Sequence, residues 1–76
     1  MQITGLKFKT GTMWNPENLA DMKNVSDKIF VLDTVFAKTT YKFSNDWKSC
    51  TITNVNKSSN HEMKPLVVNV DFVEVE

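Results

Sequence analysis

The sequence predicts an α+β fold: a small antiparallel sheet of about five strands, twisted or barrel-like, with one short helix between strands 1 and 2. Three observations carry this expectation. Apolar residues recur in short alternating runs, as where Leu66, Val68, Val70 and Phe72 alternate with Val67, Asn69 and Asp71, the pattern of half-buried strands. A single stretch, Met13 to Asn24, carries the start signals of a helix. The chain has 76 residues, and a unit this small buries only ~60% of the surface its unfolded chain exposes, so residues 1–76 are expected to form one domain around one core.

The first strand is expected over Gln2 to Thr10. Its apolar positions change parity at Gly5, from Met1 and Ile3 to Leu6 and Phe8, and a glycine at such a switch is a natural place for a bulge. Lys7 and Lys9 then fall on the wet face. In "MWNPENLADMKN" Asn15 is the N-cap, Pro16 the first helical residue and Glu17 the complement of the dipole's positive end. Trp14 and Leu19 stand at hydrophobic-staple spacing, which makes Trp14 a core anchor. Two turns of helix do not survive alone in water and need a sheet to pack on. "KIFVLDTVFA", Lys28 to Ala37, is almost continuously apolar and reads as a central strand covered on both faces. Asp33 interrupts it, and a carboxylate there belongs at an exposed strand end or needs a partner.

"TTYKFSNDWKSCTIT" is expected to be a hairpin whose connection is Ser44 to Trp47. Tyr41 then faces Cys50, Thr39 faces Ile52 and Phe43 faces Lys48, which gathers the apolar side chains on one side. Thr40, Lys42, Ser49, Thr51 and Thr53 take the opposite, polar side. Trp47 falls at the tip or on that polar side, where an exposed tryptophan is an interface candidate. "NKSSNHEMK" is a polar loop, Pro65 opens the last strand, and the parity change at Val73 and Val75 implies that its end bends or pairs elsewhere.

Charge and composition exclude several functions. Nine lysines balance nine carboxylates and arginine is absent, which disfavours a protein whose affinity comes from nucleic-acid phosphates. The bias to lysine and asparagine is associated with AT-rich coding sequence and with phages and other mobile elements. One cysteine cannot form an internal disulfide, and with one histidine it cannot complete the usual zinc site. No export signal or bilayer-length apolar segment is read from the chain, so a cytoplasmic location is expected and the sequons at Asn24 and Asn56 are taken as chance.

Cys50 and His61 are the sole candidate nucleophile and base, and catalysis would require them within hydrogen-bond reach with a third group orienting the base. The hairpin buries Cys50, so a non-enzymatic protein without cofactor or metal is expected. The opening Met1-Gln2-Ile3, followed by a strand and a helix, is similar to the start of ubiquitin. No double-glycine tail is present, and none of ubiquitin's function is carried across.

The expected function is a protein-binding module, such as a phage or mobile-element inhibitor of a host factor: a defence nuclease complex, in the manner of an anti-CRISPR protein, or a polymerase. Its partner-binding residues would be Trp47, Lys42, Lys48 and Asp46, a homodimer being compatible with this, and no membrane is involved. The alternative is a small β-barrel binding single-stranded nucleic acid, with surface aromatics stacked on bases and lysines along the backbone. The alternation disfavours it, because the hairpin's aromatics and lysines lie on opposite faces.

Overall fold

The computed structural model describes residues 1–9 and 19–76. They form six strands: β1 (Ile3–Phe8), β2 (Lys23–Ser26), β3 (Ile29–Asp33), β4 (Ala37–Phe43), β5 (Ser49–Asn56) and β6 (Leu66–Val75). The strands make one antiparallel sheet in the order β1-β6-β5-β4-β3-β2, curled into a half-barrel. β1 and β2 form its open edges. The fold is therefore mostly β rather than α+β, with six strands rather than five.

The described part of the expected helix is a single 3-10 turn, Leu19–Asp21. The cap at Asn15, Pro16 and Glu17, and the expected anchor Trp14, lie outside the described residues. Lys23 to Ser26 joins the sheet instead, paired with β3 through the Asp27-Lys28 turn. Lys28 takes a φ of 58° there, which is uncommon for a residue with a Cβ.

The apolar run from Lys28 to Ala37 is not one strand. Thr34 breaks it: its N–H and Oγ1 both donate to the Ala37 carbonyl, at 2.9 and 3.0 Å, while its Oγ1 accepts the N–H groups of Phe36 and Ala37. A threonine hydroxyl that satisfies the backbone in this way competes with ladder pairing and turns the chain. β3 ends at Asp33, which pairs with Lys38 on β4.

The β4–β5 hairpin forms with the expected faces but a register two residues longer. Tyr41 faces Ile52, Phe43 faces Cys50 and Thr39 faces Asn54. A two-residue slip preserves side-chain parity, so the inward set is unchanged, and Tyr41, Phe43, Cys50 and Ile52 are all buried. One inner row runs Phe30–Tyr41–Ile52–Leu66 across four strands. Ile3, Phe8, Met22 and Val70 complete the core.

β6 serves two neighbours. Leu66 to Asn69 pair with β5, and Val70 to Val75 pair with β1. The expected irregularity at Gly5 is present, since Ile3 pairs with Val75 and Gly5 with Glu74, leaving Thr4 as the extra residue of β1. A second irregularity puts Asp71 in excess on β6, because Lys7 pairs with Phe72 and Phe8 with Val70. Each extra residue reverses the strand's alternation. Phe72, expected in the core, consequently lies across from Lys7 and is exposed, with its ring edge only 3.1 Å from where a Cβ on Gly5 would stand.

Candidate functional site

The sheet has two turn-bearing ends. The Phe43 N–H donates to the Lys28 carbonyl at 2.9 Å, which places the β2–β3 turn beside the β4–β5 turn at one end. The Lys57 N–H donates to the Phe36 carbonyl, also at 2.9 Å, which places the β3–β4 turn beside the turn after β5 at the other. The length of β4, Ala37–Phe43, separates them by about 20 Å.

The sequence-predicted residues Trp47, Lys48 and Asp46 sit at the first end, but they do not form the exposed aromatic patch expected of them. Trp47 is half-buried. Its ring lies 5.2 Å from that of Phe43 and 6.4 Å from that of Phe30, and the Lys28 ammonium stands 5.6 Å above it. The longer register is the cause. Four residues, Asn45 to Lys48, span the turn, and Trp47 takes a φ of 62° while its N–H donates to the Ser44 carbonyl at 3.0 Å. A left-handed backbone costs a bulky residue about 1–2 kcal/mol, offset here by ring packing and the cation over its face. Lys42 is exposed but projects from the opposite face, in the outer row Ile29–Lys42–Thr51–Val67. It shares no patch with Trp47.

Asp46 is used to build the turn. Its Oδ1 accepts from Ser44 Oγ at 2.6 Å and from the Lys48 N–H at 3.0 Å, and Ser44 Oγ in turn accepts from the Ser49 N–H. The Ser44 hydroxyl first, then the Lys48 amide, hold the Asp46 carboxyl below its ordinary range. At the far end the Lys57 ammonium does the same for Asp33. A carboxylate whose folded pKa is depressed contributes stability above its unfolded pKa, near 3.8, and loses that contribution as pH falls toward the folded value. Urea midpoints should therefore hold steady down to about pH 5 and decline below about pH 4. Asp46→Asn should show a smaller decline, and superimposable profiles would exclude a role for this turn.

The second end carries what the sequence concealed. Val35 and Phe36 are 85% and 80% exposed, adjacent, at the apex of the β3–β4 turn. Isolated apolar side chains on a surface are ordinary, but this pair is held firmly. Thr34 closes the turn beneath it, Lys57 donates to the Phe36 carbonyl, and the Lys57 side chain forms an ion pair with Asp33 at the end of β3. Leaving a phenylalanine and a valine in water leaves about 1.5–3 kcal/mol of burial free energy unrealised for each. The Thr34 hydroxyl is the signal that could have revealed a turn inside "VLDTVFA".

Around the tip the charges are sorted. Lys38 lies across from Asp33, and Lys57, Lys38 and Lys23 all act on the Asp33 carboxylate. Three lysines thus surround one carboxylate at this end. Glu62 stands further along the same cross-sheet row, beyond Lys38 and Val55. Asp71 and Glu74 lie on β6, with Glu76 just after it.

Cys50 and His61 are not brought together. Cys50 is buried among the core residues, whereas His61 is exposed and its carbonyl accepts from the Asn56 N–H, six residues along β5, about 20 Å of strand. Burial pushes the Cys50 thiol up to about 12, so it stays protonated at neutral pH and is a poor nucleophile. A thiol reagent should label Cys50 slowly in the native protein and promptly in denaturant. Equal rates would show that the β4–β5 hairpin does not cover it.

Among the described residues no three His, Cys, Asp or Glu side chains gather to hold a metal ion, and no helix is long and apolar enough to cross a membrane. No protein-family model, curated protein or solved structure matches the chain.

Proposed function

We propose that this protein is a non-enzymatic binding module that acts by occupying the surface of a partner protein, and that it docks through the Val35–Phe36 tip. The observation that carries this reading is an adjacent aromatic–aliphatic pair exposed at a hairpin apex whose backbone is closed by the Thr34 hydroxyl. A phenylalanine whose backbone is fixed by its turn has only its side-chain freedom left to lose on entering a pocket, which lowers the cost of using it as an anchor. The lysine and asparagine bias of the chain points to a mobile-element setting. There the partner is a host factor, such as a defence nuclease complex or a polymerase, and the site of action is the host cytoplasm.

The nucleic-acid alternative needs exposed aromatics beside cations. Tyr41 and Phe43 are buried while Lys42 is exposed, so the β4–β5 hairpin offers no stacking platform, and the exposed Phe36 and Phe72 are each a single ring rather than the row on which successive bases stack. Capture by the wild-type protein, compared with Phe36→Ala and with Trp47→Ala, tests the reading. A partner lost on Phe36→Ala and kept on Trp47→Ala supports it, and the reverse pattern moves the interface to the Trp47 end. Saturable, steeply salt-sensitive binding of short single strands would favour nucleic acid instead.

A further inference from the structure

Resting on that docking reading, we infer that the partner surface is an apolar pocket rimmed by carboxylates. The tip supplies one half of such a contact: Val35 and Phe36 project, and exposed lysines stand at the base of the turn, Lys38 across from Asp33, Lys57 paired with Asp33 and Lys23 across from Val31, two residues before Asp33 on β3. Lys57 is paired with Asp33 and Glu62 stands along the row from Lys38, so the three lysines outweigh the two acids by a single positive charge at this end. Positive charge flanking an apolar peg selects a negative rim around an apolar pocket, speeds encounter, and discourages docking on basic surfaces.

An anionic lipid surface would attract the same lysines. Two features favour a protein pocket. Two side chains bury too little apolar area for stable membrane anchoring, and Asp33 and Glu62 beside the tip would meet lipid phosphates with like charge. A protein pocket can set single carboxylates against the lysines and hydrogen-bond donors against Asp33 and Glu62, which a continuous layer of lipid phosphates does not.

The test uses the protein that wild type captures and Phe36→Ala releases. Its affinity is measured for wild type, Phe36→Ala, Lys38→Ala and Lys38→Glu across about 50 to 500 mM salt, a range over which exposed charge pairs become screened. Lys38 is exposed but lies across from Asp33 and acts on its carboxylate, so circular dichroism and the urea midpoint check that each variant is folded and as stable as wild type. Wild-type affinity should fall about tenfold or more over that range, and Lys38→Glu should weaken low-salt binding by about as much and flatten the salt dependence. Lys38→Ala should fall between the two. Salt-insensitive affinity with unaffected lysine variants overturns the carboxylate rim and leaves the docking reading standing. Retention of the partner by Phe36→Ala, or failure to find any protein that this variant releases, overturns the docking reading itself. Sedimentation with phosphatidylserine–phosphatidylcholine vesicles that depends on both Phe36 and Lys38 replaces the protein pocket with a lipid surface.

Discussion

Phe30→Ala should lower the free energy of unfolding by about 3–5 kcal/mol. Phe30 has 0% of its surface exposed and begins the inner row, across from Tyr41. Its ring meets the edge of Phe43 at 5.9 Å and 83° and lies against Trp47. Removing it deletes the ring packing of β3 against Phe43 and Trp47 and leaves a cavity that the hydrogen-bonded strands on either side cannot collapse to fill. A domain of this size has about 4–11 kcal/mol in total, so the variant should be marginal or unfolded at 37 °C. Urea denaturation followed by circular dichroism measures it. A loss under about 1 kcal/mol would mean that the aromatic cluster is not packed as described.

Phe36→Ala should do the opposite. With 80% of its surface already in water, its removal costs the fold almost nothing, and the urea midpoint should correspond to a change within about 0.5 kcal/mol of wild type. Binding should suffer instead. Truncating an anchor residue typically costs 2 kcal/mol or more, a loss of about thirtyfold or greater in affinity. Isothermal titration or surface binding against the captured partner gives that number. Loss of stability equal to the loss of binding would show that Phe36 is structural. Thr34→Val separates rigidity from contact, since it keeps Phe36 but removes the hydroxyl that accepts the Phe36 and Ala37 N–H groups. If the tip acts by being held in place, this variant should bind more weakly than wild type and more strongly than Phe36→Ala.

Much of the sheet was legible in the residues. The parity change at Gly5 marked a real irregularity, and that at Val73 and Val75 follows the extra residue Asp71, in the stretch of β6 that pairs with β1. The grouping of Tyr41, Phe43, Cys50 and Ile52 on one face survived a register error of two residues, because alternation records the face and not the length of the turn. The site was less legible. "KIFVLDTVFA" contains, among the described residues, both the most buried aromatic, Phe30, and the most exposed one, Phe36. Hydrophobicity is the same for both, and the difference lies in which backbone groups Thr34 satisfies. Trp47 failed in the opposite direction: its position in a polar turn suggested exposure, while a left-handed backbone turned the ring toward Phe43 and Phe30.

By itself the sequence determined that this chain builds a small antiparallel β structure and which faces of its hairpin strands turn inward, since alternation is local and burial of apolar surface dominates folding. The tertiary structure alone decided strand order, the double pairing of β6, the partial burial of Trp47 and the projection of Val35 and Phe36. Each of these depends on contacts between residues far apart in sequence, such as Lys28 with Phe43 and Lys57 with Phe36, and no local pattern encodes where two turns will meet.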